Sequence, residues 1–148
     1  SGEEIKHFNV KDGQGLGLLT RIDFPVAIIT ARESTLVERR ADELGIQHLF
    51  QGSKNKLETA QQLTKELGIS LNDMAYMGDD LPDIPLLKEV GLSLCPRDAS
   101  PEVQHICHYI TLAAGGHGAV REITDRILDA QNLKQHFPMF YTQEPATP

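Results

Sequence analysis

A chain of 148 residues that is 40% hydrophobic and 24% charged amounts to about one domain, able to bury a core and too apolar for disorder. Its net charge of -7, with no basic stripe, argues against nucleic-acid binding, and no apolar run approaches the ~20 residues that span a bilayer. A small anionic ligand stays open, because one local cation can reverse the field inside a cleft.

The chain begins with charges, and "IKHFNV" reads as a strand, followed by a glycine-rich turn and a short helical piece up to residue 23. "FPVAIIT" (24–30) is a continuous apolar run of the kind found in a parallel strand covered on both faces. A helix follows over "ARESTLVERRADELG", with Gly45 as its stop. "IQHLF" is the next strand, "NKLETAQQLTKELG" (55–68) a helix closed by Gly68, and "MAYMG" (74–78) the third strand. Then come a short helix over 84–90, the strand "LSLC", a helical turn at "PEVQHIC", the strand "YIT" and an amphipathic helix over 119–132. Short apolar strands separated by helices specify an α/β fold with a parallel sheet, right-handed crossovers and helices on both faces. One domain over residues 1–136 and a proline-bearing tail over 137–148 are expected.

In open parallel sheets, ligands bind beyond the carboxyl ends of the strands. The first strand delivers Thr30 and Arg32 there, the second is followed by Lys54 and Lys56, and the third ends in Gly78, Asp79 and Asp80 with Asp83 close behind. Adjacent carboxylates repel, and Mg²⁺ relieves that repulsion, since it takes one or two carboxylates plus waters and a phosphate oxygen. A lysine ammonium and a threonine hydroxyl beside it would neutralise and orient a phosphoryl group. Singly these features are ordinary: strand-ending threonines are mostly structural, and lysines at helix starts are mostly solvated. Their convergence on one rim is what points to phosphoryl chemistry.

"ITAR", "QGSKNK", "GDDLPDIP" and "GGHGAVREI", with the opening "GEEIKHFNVKDGQGL", resemble motifs of the haloacid dehalogenase superfamily. The resemblance is to its cap-less phosphatases for 3-deoxy-D-manno-octulosonate 8-phosphate (KDO 8-phosphate), over residues 2–134. It implies a magnesium-dependent phosphatase of lipopolysaccharide biosynthesis with a three-layer, Rossmann-like fold. Thr30 would hold the transferring phosphoryl group, Lys56 would stabilise charge on it, and Arg32 would lie next to the substrate. Asp79 would be the metal ligand, with Asp80 and Asp83 completing or orienting the shell. Asp12 falls in a segment near the active site, with no chemical role assigned. The resemblance also implies a homotetramer in which a neighbouring subunit closes each site; Cys95 and Cys107, without framework spacing, suggest a reducing, cytoplasmic setting.

The sequence departs from the family in one respect. The first motif of the superfamily is a strand ending in Asp-x-Asp, which supplies the attacking carboxylate and the general acid, and no Asp-x-Asp occurs here. The expectation is therefore an amino-truncated chain lacking its first, central strand and inactive alone. Two alternatives stay open: a non-catalytic subunit or module, and a relative of sialic acid 9-phosphate phosphatases. A receiver domain would place its acidic pair before its lysine in the other order. Gly13, Gly15 and Gly17 lack dinucleotide-binding spacing. A zinc site from His105, Cys107, His108 and His117 is disfavoured because one helical turn cannot aim the first three at one ion, although His117 in "GGHG" could approach the substrate mouth.

Overall fold

Six α-helices and five short strands alternate through residues 2–141, the part of the chain that the computed structural model describes. The first element departs from expectation. Residues 5–9 form no strand, and α1 (Val10–Arg21) runs straight through the glycines. Asn9 starts it, its side chain accepting from the Lys11 and Asp12 N–H groups at 2.9 and 3.0 Å. The glycines are there for packing rather than turning. A Cβ at Gly13 would collide with the Arg40 guanidinium of the next helix, and one at Gly15 with the Thr124 hydroxyl.

From there the elements follow the periodicity. β1 (Ala27–Ile29) and β2 (His48–Phe50) pair in parallel, with Ala27 opposite His48. Between them lies α2 (Thr35–Glu43), capped by the Ser34 hydroxyl and ended at Gly45, whose φ of +73° favours glycine. α3 (Lys56–Leu67) is capped by Asn55, which accepts from the Glu58 N–H at 3.0 Å, and is closed by left-handed Gly68. β3 (Ala75–Met77), β4 (Leu92–Cys95) and β5 (Tyr109–Ile110) form a second parallel sheet in that order. A 3₁₀ turn at Leu81–Asp83 runs into α4 (Ile84–Leu87) between β3 and β4, and α5 (Pro101–Ile106) connects β4 to β5. α6 (Ala119–Ala130) follows.

The α/β class and the parallel pairing are as expected, but the sheet is in two pieces: β1 and β3 make no ladder with each other. Three buried clusters hold the layers. Leu18, Leu19, Leu128 and Phe137 join α1 to α6; Ala60, Leu86 and Val90 pack α3 on α4 beneath Ile29 and Tyr76; Leu87, Cys95, Ala99 and Val103 join α4, β4 and α5. Each buried leucine contributes about 1.5–3 kcal/mol relative to exposure. Phe137 is 5% exposed in the first cluster, so packed structure continues past residue 136, where the tail was expected to begin. Its ring is the reason: an aromatic of that size is more stable under α1 and α6 than in water. The rest of the expected tail, 142–148, lies outside the described residues.

Candidate active site

β1 and β2 run parallel, as do β3, β4 and β5, and the expected residues follow the carboxyl ends of β1, β2 and β3. Thr30 follows β1 and is held by three bonds. Its N–H donates to the Phe50 carbonyl (2.9 Å), its carbonyl accepts from Ser53 (2.9 Å), and its hydroxyl oxygen accepts from the Arg32 N–H (3.2 Å). The Arg32 side chain is exposed beside it.

Lys56 is the first residue of α3, an unfavourable place for a cation because the helix dipole is positive there. The structure shows what offsets this. The Lys56 ammonium lies 2.7 Å from Asp83 Oδ1, with the two side chains only 15% and 5% exposed. The same oxygen accepts from the Tyr76 hydroxyl, and Asp83 Oδ2 accepts from the Asp79 and Asp80 N–H groups at 2.9 and 3.2 Å. A carboxylate has about four acceptor sites, and all four are filled. Burial pushes the Asp83 carboxyl up, but Lys56, Tyr76 and the two backbone donors outweigh it and hold it below the ordinary range. Burial and the Asp83 charge raise the Tyr76 hydroxyl, which keeps it a donor.

Asp83, expected to complete or orient the metal shell, is a saturated anion under the loop, and it shapes that loop. Gly78 makes room for it, since a Cβ there would meet the Asp83 side chain. The loop presents Asp79 and Asp80 outward, both exposed. Asp79 is raised, by burial first and then by the Asp83 and Asp80 charges, with Lys56 opposing. Asp80 Oδ1 accepts from the Leu81 N–H at 2.8 Å, and the side chain forms a reciprocal capping box with Asp83.

Two outward carboxylates over a buried third form a donor set that fits Mg²⁺, whose remaining ligands are waters and phosphate oxygens. Among the described residues no group of three or more His, Cys, Asp or Glu is arranged to hold an ion, so neither the acidic triplet nor the histidines with Cys107 form a closed cage by themselves. His108 is engaged elsewhere, its Nδ1 lying 2.9 Å from the Ser93 N–H.

Asp12, expected near the active site with no chemical role assigned, lies in α1 and reaches the N-terminus of α6. Its carboxylate accepts from the Arg121 N–H at 2.9 Å and caps α6, a structural role that an anion at a helix N-terminus fills well. Two residues were missed by sequence reasoning. Tyr76 is one; a tyrosine inside an apolar strand needs a hydroxyl partner, and that signal was available. The other is Ser100, whose N–H donates to the Asp79 carbonyl (2.9 Å) and whose buried hydroxyl has no partner among the described residues. No local pattern marks it.

A haloacid dehalogenase-like hydrolase family model matches residues 26–123. The chain is 48% identical over 131 residues to the 3-deoxy-D-manno-octulosonate 8-phosphate phosphatase of Escherichia coli, covering 88% of this chain and 70% of that protein. Among solved structures it resembles the phosphatase of that name from Yersinia pestis, at 48% identity and a TM-score of 0.86, over 88% of this chain and 71% of that one. It also resembles the Moraxella catarrhalis enzyme in complex with magnesium ion, phosphate ion and KDO, at 43% identity and a TM-score of 0.89, over 95% of this chain and 81% of that one.

Proposed function

Because this chain belongs to the haloacid dehalogenase-like hydrolases, and among them to the 3-deoxy-D-manno-octulosonate 8-phosphate phosphatase family, we propose that it serves magnesium-dependent hydrolysis of KDO 8-phosphate to KDO and phosphate. The observation that carries the reading is the Lys56–Asp83–Asp79 arrangement. One buried carboxylate aligns an ammonium and two outward carboxylates, and Thr30, after β1, is hydrogen-bonded to the loop that leads to Lys56. Asp79 and Asp80 would hold Mg²⁺, which supplies positive charge against the phosphoryl oxygens. The Thr30 hydroxyl donates a hydrogen bond to a phosphoryl oxygen. Lys56, held in place by Asp83, stabilises negative charge as it develops. Arg32 lies where an anionic ester would first meet the protein.

The family assigns attack on phosphorus to an Asp-x-Asp pair, which this sequence does not contain. The reading therefore gives these residues the binding and charge-stabilising part of the reaction. It extends to a lipopolysaccharide-biosynthetic role, since KDO is the product, and to a reducing, cytoplasmic setting, in keeping with the two free thiols. It extends also to a homotetramer, supported by the exposed Ile5, Phe8 and Val10 near α1. No helix among the described residues is long and apolar enough to cross a membrane.

Titration calorimetry with orthophosphate and with KDO 8-phosphate, with and without Mg²⁺, tests the reading. Binding should require Mg²⁺, disappear in EDTA, and be lost in Asp79→Asn. Equal binding in EDTA would refute it. The 148-residue chain alone should release little phosphate; brisk turnover would mean that a group other than an Asp-x-Asp carboxylate attacks. Mg²⁺-dependent binding without turnover in any assembly would favour the non-catalytic reading.

A further inference from the structure

β1 ends at Ile29, so the segment from Thr30 to Ser34 has no strand ladder to hold it, although it carries both Thr30 and Arg32. Three rungs hold it instead, all supplied by the first residues after β2. The Ser53 N–H donates to the Thr30 carbonyl at 2.9 Å, and the Gly52 N–H donates to the Arg32 carbonyl at 3.2 Å. The outermost rung comes from a side chain: the Ser34 N–H donates to Gln51 Oε1 at 2.7 Å. Residues 30, 32 and 34 thus meet 53, 52 and 51 in turn, with the Gln51 amide oxygen taking the part of a backbone carbonyl. Gly52, at a φ of +66°, makes the bend that lets three consecutive residues face three alternate ones.

Ser34 has no freedom to replace that rung. It is 6% exposed, and its N–H has no other partner among the described residues. Its hydroxyl is committed, donating to Glu4 Oε2 at 3.0 Å and accepting from the Leu36 and Val37 N–H groups at 3.2 and 3.4 Å. A buried amide without a partner is unfavourable, so loss of the Gln51 oxygen would let the segment shift until water reaches the Ser34 N–H. Thr30 is insulated from such a shift by its own bonds to Phe50 and Ser53. Arg32 is not, because it hangs between the Gly52 rung and the Gln51 rung, with its side chain exposed. A guanidinium binds phosphoryl oxygens through a directional fork, so displacement of its backbone weakens the contact.

We propose that Gln51 is a positioning residue for Arg32: its side-chain amide closes the segment after β1 and so sets the guanidinium where the phosphate ester docks. This inference rests on the phosphatase reading, in which Arg32 meets the ester, and adds the residue that holds Arg32 ready. Gln51 touches no ligand itself. Its effect on binding must therefore pass through Arg32, and a ligand held by Arg32 must in turn strengthen the Gln51–Ser34 bond.

Calorimetry in Mg²⁺ with KDO 8-phosphate and with orthophosphate, on the wild type, Gln51→Met, Arg32→Ala and the double variant, tests this. Methionine keeps the length of the side chain and removes the acceptor. Arg32→Ala should weaken KDO 8-phosphate by about tenfold and Gln51→Met by about threefold. In the Arg32→Ala background, Gln51→Met should add no further loss. Equal loss in both backgrounds, no loss from Gln51→Met, or no loss from Arg32→Ala overturns the positioning role, while Mg²⁺-dependent orthophosphate binding leaves the phosphatase reading standing. A wild type that binds no orthophosphate with Mg²⁺ overturns both. Hydrogen exchange at the Ser34 amide of the wild type is a second readout that needs no variant to fold. KDO 8-phosphate with Mg²⁺ should slow that exchange, and an unchanged rate in the saturated protein overturns the coupling of Gln51 to the ligand.

Discussion

Replacing Asp83 by Asn separates two accounts of the acidic loop. If Asp83 were a metal ligand, the metal-free protein would lose a repulsive charge beside Asp79 and Asp80 and become slightly more stable. The structure requires the opposite. Asp83 is 4% exposed and accepts four hydrogen bonds, one of them in a 2.7 Å ion pair with Lys56. An asparagine keeps one accepting oxygen and turns its NH₂ toward donors, so two of the four bonds become donor-to-donor contacts and the ammonium is left in a largely buried position. Breaking a buried pair this way costs about 3–5 kcal/mol. For a chain of this size that is a fall in melting temperature of roughly 6–20 °C, at about 2–4 °C per kcal/mol. Thermal melts in EDTA, followed by circular dichroism, measure it. A variant that melts within a degree or two of wild type, or above it, would refute the organising role of this carboxylate.

The glycines of α1 give a paired result. Gly15→Ala drives a methyl into the Thr124 hydroxyl and should cost about 1–3 kcal/mol, whereas Gly17 has open space around its Cβ position, so Gly17→Ala should gain about 0.5–1 kcal/mol, both read from urea unfolding. Glu122 gives a pH dependence. Burial raises its carboxyl, but the Tyr109 hydroxyl and the Leu112 and Ala113 N–H donors outweigh it, so its value in the folded protein lies below the ordinary 4.5. Its contribution is present above pH 4.5 and is lost as pH falls through the depressed folded value, so Glu122→Gln should flatten the acid limb of the stability curve. Burial and the neighbouring Cys95 push the Cys107 thiol up to about 12, so at pH 8 the native protein should react with a thiol reagent far more slowly than the unfolded chain.

Much of this was legible in the sequence because it is local. α3 runs from an asparagine cap to a left-handed glycine, and both signals stand in "NKLETAQQLTKELG". The strands 75–77 and 92–95 appear as short apolar runs bounded by glycine or proline. What was not legible depends on distant partners. The glycines of α1 look like a turn until Arg40 and Thr124 are packed against them. Asp12 caps a helix that starts 107 residues further on, and Asp83 gathers donors from α3, β3 and its own loop. An acidic triplet in a sequence carries charge but not burial, and burial is what divides Asp83 from Asp79 and Asp80. Phe137 was read as tail because the proline-bearing segment that it opens shows little periodicity.

The division of the sheet has a bearing on solubility. Along the sides of β1 and β3 that carry no ladder, amide and carbonyl groups stand in parallel rows, a template onto which any extended segment of another molecule could zip. The charge of -7 repels such molecules from one another, and that repulsion weakens as added salt shortens the screening length toward ~3 Å at 1 M. Concentrated stocks should therefore cloud first in high salt, and at low ionic strength last.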